Sequence, residues 1–551
     1  MVRFARLSTP VIEAAPMTVN PTFPGIYIQE LKASTHTITS APTSIAVFIG
    51  YAHPYKRAAA VGAAVHVFNF TEYQAALGGL FQSDLIPTEL PYAVQQFFLN
   101  GGAEAYVIPL APSVTAPATT PMSFEDNPAF GDIASIRFTG REIVSAQASL
   151  SVTVKNVRTD PADVAAGLKL FDLVVTYGSV AETFRGLSLS ATSPNFVETR
   201  VNGGRSTLVT VGAVSSAGYT AFPDASGHSV TLDYPQAFKD QLATAGATVY
   251  ALADYAAQLA TFDTPLDKID IFNLLVLPGA TKNDLMSIAI PFVERKHAFL
   301  IMDAPAAVAA DNPLSTAGVT TIEDYVNGSD APPRTDYGAL YFPWLSTTDE
   351  LTGKPTRLPP SGYVAGIFSK IDNNRGVWKA PAGMETVLLN TAGVVPDGKL
   401  TDARAGLLNL LDVNALRTFR GVGTVVFGAR TFIPGGGAFD QWRYVPVRRT
   451  ALFLEQTLLR NLTWVIFEPN DEPLWLAIRS SIESFMLSLF RQGAFQGATP
   501  DDAFQVKCDA STTTQTDIDN GVVNILVAFA PLKPAEFVVI QIAQLAGQAQ
   551  V

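Results

Sequence analysis

NALRTFRGVGTVVFGART, residues 414–431, is the stretch on which the reading of this chain turns. β-Branched, aromatic and apolar residues flank Gly421 and Gly423, which predicts a strand running into a Gly-rich loop. WRYVPVRR (442–449) and two helix-like segments follow, and FAPLKPAEFVVI (529–540) closes the region with two terminal strands. The clearest helix starts after Asn470–Asp471–Glu472–Pro473. Asn470 or Asp471 can cap it, Glu472 suits the positive end of the dipole, and Pro473 fits the first turn. Leu474, Ile478, Ile482, Phe485, Met486 and Leu489 form one apolar stripe, Arg479 and Glu483 can pair on its flank, and Gly493 ends it. Burial of each large side chain contributes about 1.5–3 kcal/mol.

The chain has 551 residues, enough for several domains. It is 48% hydrophobic and only 16% charged, with mean hydropathy +0.22. Either it crosses a membrane or much of its surface is covered by partners. Apolar runs such as Ile271–Pro278 are too short to span a bilayer, which takes about 20 residues. The first twenty residues lack the continuous apolar core of a signal peptide. Assembly is the better account, and direct membrane insertion is not expected. The net charge of −12 argues against general nucleic-acid binding. A lone cysteine, Cys508, excludes an internal disulfide and reads as a small, semi-buried residue.

Going outward from the opening stretch, Gly25–Glu30 reads as a strand, with Ile26 and Ile28 on one face and Tyr27 on the other. Ser44–Gly50 and Ala105–Ile108 read as buried strands, with helices at Phe70–Leu77 and Pro91–Leu99 between them. An Ala/Pro/Ser/Thr linker at Ala111–Pro121 leads into alternating segments at Ser135–Thr139, Leu150–Val157, Phe171–Tyr177, Thr183–Leu189, Thr207–Val211 and Ser229–Leu232. Ile269–Leu277 and Ala298–Asp303 read as buried parallel-type strands joined by a crossover helix, Thr281–Lys296. Ser361–Ile371 reads as a short helix and Thr450–Leu462 as another. The expected fold class is α/β within an α+β multidomain chain. The expected division is an arm (1–40), a central α/β domain (41–112 and 256–345), an inserted mostly-β domain (113–255), a C-terminal domain (346–534) and a terminal strand (535–551).

The blocks NALRTFRGVGTVVFGART, WRYVPVRRTALFLEQTL and APLKPAEFVV resemble the C-terminal domain of contractile tail sheath proteins. PTFPGIYIQEL (21–31) is similar to that family's N-terminal arm, and DIFNLLVLPG (270–279) with ERKHAFLIMDAP (294–305) to its central domain. The resemblance covers about two thirds of the chain and leaves residues 113–255 mostly uncovered. It implies a subtilisin-like central domain and a homo-oligomer of stacked rings forming a helical sheath. The partners it implies are an inner tube protein, a baseplate and terminator or cap proteins. Assembly in the bacterial cytoplasm is implied, within a phage tail or a phage-tail-like injection particle that can be released. VWKAPAG (377–383) resembles sheaths of bacterially encoded systems. The resemblance also implies that terminal strands are lent to neighbours, here through Ile26, Tyr27, Ile28, Phe537, Val538, Val539, Ile540 and Ile542.

Catalytic chemistry finds no support in the residues. His36, His53, His66, His228 and His297 lie in no catalytic motif, and no serine occupies a Gly-x-Ser-x-Gly elbow. No histidine pair has helical metal-ligand spacing, so no metal or cofactor is expected. Gly435–Gly436–Gly437 lacks the Gly-Lys-Ser/Thr ending of a phosphate loop. The rival readings are a hydrolase-like α/β enzyme, active or degenerate, and another tail or baseplate subunit. Arg443, Arg448, Arg449 and Arg460 suggest a basic patch facing the inner tube. Arg448 and Arg449 would stand where a helix begins, against its dipole, and so need an acidic partner or internal pairing.

Overall fold

A computed structural model describes residues 36–53, 60–81, 87–110, 137–140, 150–159, 169–177, 180–202, 206, 208–212, 228–232, 252–259, 262–305, 322–351, 353–395, 400–433, 441–537 and 539–541. The arm residues Ile26, Tyr27 and Ile28, together with Val538, Ile542 and the Gly435–Gly437 run, lie outside them.

Strand β1 (Ala46–Gly50) is buried along its whole length. It is followed by β2 (Val65–Val67), α1 (Phe70–Leu77), α2 (Glu89–Leu99) and β3 (Ala105–Pro109). Asn69 starts α1, its Oδ1 accepting from the Glu72 amide at 2.8 Å, while the Glu72 carboxylate accepts from the Phe68 amide at 2.8 Å. Then come β4 (Arg137–Gly140), β5 (Leu150–Thr159), β6 (Lys169–Tyr177), β7 (Val180–Ser188), α3 (Val197–Asn202), β8 (Val209–Gly212) and β9 (His228–Leu232). They make an antiparallel sheet ordered β7-β6-β5-β9 and a β4–β8 pair. Val152, Val154, Phe171, Leu173 and Val175 are buried, one face of a period-two pattern on each strand.

The chain returns through α4 (Leu252–Leu259), β10 (Leu274–Val276), α5 (Asn283–Lys296), β11 (Phe299–Asp303), α6 (Ile322–Asn327) and β12 (Gly338–Phe342). A small antiparallel sheet of β13 (Leu345–Thr348), β14 (Pro355–Leu358) and β15 (Gly393–Val394) brackets α7 (Ser361–Arg375). After α8 (Asp402–Leu410) come β16 (Val413–Phe419) and β17 (Gly423–Val426), the two halves of the opening stretch around its Gly-rich turn. The last elements are α9 (Val445–Asn461), α10 (Glu472–Arg491), α11 (Pro500–Ala503), β18 (Phe504–Lys507), α12 (Gln515–Asp519) and β19 (Leu526–Phe529).

One eight-stranded sheet organises the molecule, ordered β17-β16-β12-β11-β10-β1-β3-β2. It is parallel from β16 to β3 and antiparallel at both edges. β16 and β17 lie within the span 346–534 read as C-terminal, yet they extend the central sheet by pairing Leu340–Phe342 with Val413–Ala415. Helices cover both faces, α2 and α7 on one side and α4 and α5 on the other. α2 and α7 approach so closely that a Cβ on Gly362 would sit 2.5 Å from the Ala93 carbonyl, and one on Gly366 would sit 2.6 Å from that of Phe97. Only glycine permits that crossing.

Pro360 precedes α7 and cannot cap it through its side chain. Asp303, at the carboxyl end of β11, does so from another strand. It accepts from the Ser361 amide (2.8 Å), the Ser361 hydroxyl (2.6 Å) and the Gly279 amide (2.9 Å). Glu89, in the first turn of α2, buries an Oε2 that has no hydrogen-bond partner. Burial, reinforced by the Asp303 charge, pushes the Glu89 carboxyl up to about 7; burial pushes Asp303 up to about 6. An unfolded glutamate ionises near pH ~4.3, so between there and about 7 the folded chain holds a proton that the unfolded chain has lost. Stability therefore falls as pH rises through that window and is lowest above it. Glu89→Gln removes the penalty. In urea melts it should gain about 3–4 kcal/mol over the wild type at pH 8 and almost nothing at pH 4; equal gains at both would refute this account.

Candidate assembly interface

Helix α9 begins at Val445 with Pro446 in its first turn, five residues earlier than the sequence reading. Arg448 and Arg449 consequently lie inside the helix and are buried. Arg449 makes a two-pronged bond to Asp372 of α7, Nη1 to Oδ1 at 2.8 Å and Nη2 to Oδ2 at 2.6 Å, and Nη2 also donates to the Thr43 carbonyl at 2.8 Å. Burial holds the Asp372 carboxyl above its ordinary range although Arg449 opposes that shift. Arg448 stacks on Tyr337 (3.7 Å) and Trp442 (4.8 Å), with Nε 3.3 Å from Asp336 and Nη1 4.0 Å from Glu455. Arg460 donates to the Asp270 carboxylate and carbonyl, both at 2.6 Å. The Arg443 carbonyl accepts from the Thr431 amide at 2.8 Å. These arginines therefore do not form one open patch. The acidic partners expected for Arg448 and Arg449 lie within the chain, as Asp336 and Asp372, so neither guanidinium reaches an outer surface of this subunit.

The stretch leading into β1 lies along α9. Asn461 grips Thr39 from both sides, accepting from its amide at 2.9 Å and donating to its carbonyl at 2.8 Å. The Ala41 amide donates to Thr457 Oγ1 at 3.1 Å, and His36 stacks on Trp464 at 4.0 Å. A second grip holds the C-terminal segment. Arg430 donates from Nε and Nη2 to Glu536, at 3.0 Å to Oε1 and 2.5 Å to Oε2, and from Nη1 to the Asn409 carbonyl at 2.6 Å. Among the described residues beyond Glu536 (537 and 539–541) none is in a helix or strand, and Phe537, Val539 and Ile540 are 74–80% exposed.

Between these grips stands a hairpin. β18 and β19 pair antiparallel from Phe504–Phe529 to Lys507–Leu526, and among the described residues neither has a second neighbour. α10 supports the hairpin from behind through Ile478, Ile482, Phe485, Met486 and Leu489, with Asp471 as its cap. Cys508 is buried in that cluster, and burial pushes its thiol up to about 11. A cavity of about 760 Å³ opens beside the C-terminal segment, walled by Trp378, Gly406, Phe427 and Phe537.

Ser361, His66 and His297 are engaged in contacts within the fold. Ser361 donates directly to Asp303 as part of a helix cap. His66 stacks on Tyr106 at 4.2 Å beside Glu104, and His297 ends α5 in a left-handed conformation, 2.7 Å from Glu455. Among the described residues no group of three or more His, Cys, Asp or Glu could hold a metal ion, and no helix is long and apolar enough to cross a membrane.

The chain thus runs from a central sheet unit into a helix-backed hairpin with two gripped ends. Residues 248–432 match the phage tail sheath protein central domain, and residues 439–544 match the phage tail sheath C-terminal domain. Together they account for more than half of the chain. The chain belongs to the phage tail sheath family. It is 26% identical over 267 residues to a protein described as a prophage major tail sheath protein of Pseudomonas aeruginosa (strain UCBPP-PA14), covering 48% of this chain and 62% of that one. The match thus spans less than two thirds of that relative. The fold is shared with the sheath complex of an extracellular contractile injection system, PVC, in its contracted state (TM-score 0.55, 21% identity, 96% of this chain and 99% of that one). It is also shared with the contracted helical sheath of the anti-feeding prophage (TM-score 0.52, 20% identity, 96% and 100%).

Arg449 sits in a buried two-pronged pair, so deleting it strands Asp372. Arg449→Ala should destabilise the chain by about 3–5 kcal/mol in chemical denaturation. Loss of under about 1 kcal/mol, the range of an exposed pair, would show that the pair is not buried in solution.

Proposed function

We propose that this chain is the structural subunit of a contractile sheath. Copies stack in rings, wind helically around an inner tube and contract to drive that tube through a target envelope. The observation that supports this best is the two-stranded hairpin standing between two gripped chain ends. Packing against α10 makes the two strands stable as they stand, with no further strand beside them among the described residues. Their outer edges offer backbone donors and acceptors to an incoming strand. Val539 and Ile540 extend past Glu536 with apolar side chains in solvent, in keeping with a strand made for another subunit. In this reading Ile26, Tyr27, Ile28, Phe537, Val538, Val539, Ile540 and Ile542 are the exchanged residues, and Thr39 and Glu536 are the fixed roots from which the arms depart.

The remaining assignments rest on the family. The central part is subtilisin-like in fold and carries no hydrolytic role in this reading; contraction draws its energy from new subunit contacts. The β4–β9 region is the outer, inserted domain within 113–255. Besides copies of itself the subunit meets a tube protein, a baseplate and a terminator. The particle assembles in the bacterial cytoplasm and is released. With Arg448 and Arg449 inside the fold, contact with the tube falls to other residues.

Residues 1–35 precede the Thr39 grip, so removing them keeps the bonds of Thr39 to Asn461. Such a truncation should keep the circular dichroism spectrum and melting temperature of the full chain yet form no tubes in negative-stain microscopy, alone or with the tube protein. Regular tubes from the truncation would overturn strand lending by the N-terminal arm.

A further inference from the structure

The turn between α9 and α10 breaks two local rules at one residue. Phe467 has φ of +73°, a left-handed conformation that glycine adopts freely and bulky residues avoid. Its side chain is 102% exposed, beside Ile466 at 63% and Leu459 at 58%. The turn itself is firmly held. Amides of Ile466 and Glu468 donate to the carbonyls of Thr463 and Val465, Asn470 donates to the Val522 carbonyl at 3.0 Å, and Trp475 donates to Asn470 at 2.8 Å. A rigid backbone thus holds an aromatic ring out in water. Local conflicts of this kind mark functional positions, and a pre-organised aromatic is the commonest interface anchor.

The chain also has a seat of matching chemistry. The 760 Å³ cavity beside the C-terminal segment has walls of Trp378, Gly406, Phe427 and Phe537. Its charged lining is Arg375, Lys379, Arg417 and Lys533 against Asp402 and Glu536; Glu385 bridges Arg375 and Lys379 at 3.1 and 2.6 Å, Asp402 pairs with Arg417 and Glu536 with Arg430, which leaves a small basic balance. Phe467 is followed by exposed Glu468, Asp471 and Glu472, an acidic rim. An apolar knob with an acidic rim fits an apolar hollow with a basic one. Knob and hollow are different patches, and an open helical array needs contacts between unlike patches. His36, the first described residue, stacks on Trp464 in the same turn.

We infer that Phe467 of one copy seats in the cavity beside Gly406 and Phe427 of a second copy, forming a subunit contact separate from strand lending. This rests on the sheath reading and extends it.

The test uses the full chain. A Cβ on Gly406 would meet nothing within 4 Å, so the backbone there accepts a side chain, and Gly406→Trp sets a large ring at the wall of the hollow. Phe467→Gly removes the ring and relieves the backbone. Both variants should keep the wild-type melting temperature, the second at or above it, while tube yield falls about tenfold or more, as for loss of one interface anchor. Phe467→Trp should retain assembly. A photoreactive benzoylphenylalanine at 467, in tubes assembled from mixed ¹⁴N and ¹⁵N chains, should yield mixed-isotope adducts at the cavity walls. Wild-type yield from both variants would overturn the inference. So would adducts confined to a chain's own first 35 residues, to the tube protein or to another face of the second copy, and so would the absence of any adduct. If the unaltered chain forms no tubes even with its tube protein, the sheath reading itself falls.

Discussion

The Arg449–Asp372 pair joins three parts of the chain that sequence keeps far apart. Arg449 belongs to α9, Asp372 to α7, and the third acceptor is the Thr43 carbonyl just before β1. α7 is the helix pressed through Gly362 and Gly366 against α2 and the sheet. One guanidinium thus registers the C-terminal helices and the root of the N-terminal arm against the rigid centre. Two desolvated charges are costly, and the planar fork of arginine recovers that cost through paired, shaped bonds. A lysine could offer only a point charge and could not satisfy both carboxylate oxygens and a carbonyl in the same way.

Local signals in the sequence were sound where one element decides its own form. Asn69 with Glu72 specifies the start of α1, and the stripe from Leu474 to Leu489 specifies the buried face of α10. Strands β4 to β9 follow from alternation bounded by turn residues. What was hidden depended on partners distant in sequence. The start of α9 was misplaced because Arg448 and Arg449 look hostile to a helix until Asp336 and Asp372 are brought to them. β10 is three residues long, although the apolar run around it suggested a longer strand, because burial alone does not distinguish strand from packed loop. Membership of β16 and β17 in the central sheet rests on pairing with β12, which no local pattern reveals. The role of Glu536 was equally invisible, since a glutamate between prolines and apolar residues reads as a solvent-exposed charge until Arg430 is seen beneath it.

The arrangement also accounts for the sparse charge of the chain. Arg430, Arg448 and Arg449 each face a carboxylate of their own subunit and are buried, so these cations act inside it rather than on its outer surface. Among the groups the C-terminal region presents outward are backbone at the hairpin edges and apolar side chains at Phe467, Phe537, Val539 and Ile540. Strand pairing is directional and tolerant of side-chain identity, whereas apolar contacts are short-ranged and can be exchanged one for another. A lattice built on both can stay connected through its strands while its apolar contacts are replaced. Fixed arm roots are the corollary: a strand lent to a neighbour can hold only as firmly as it is tied at home, and Arg430 and Asn461 make those ties within the subunit.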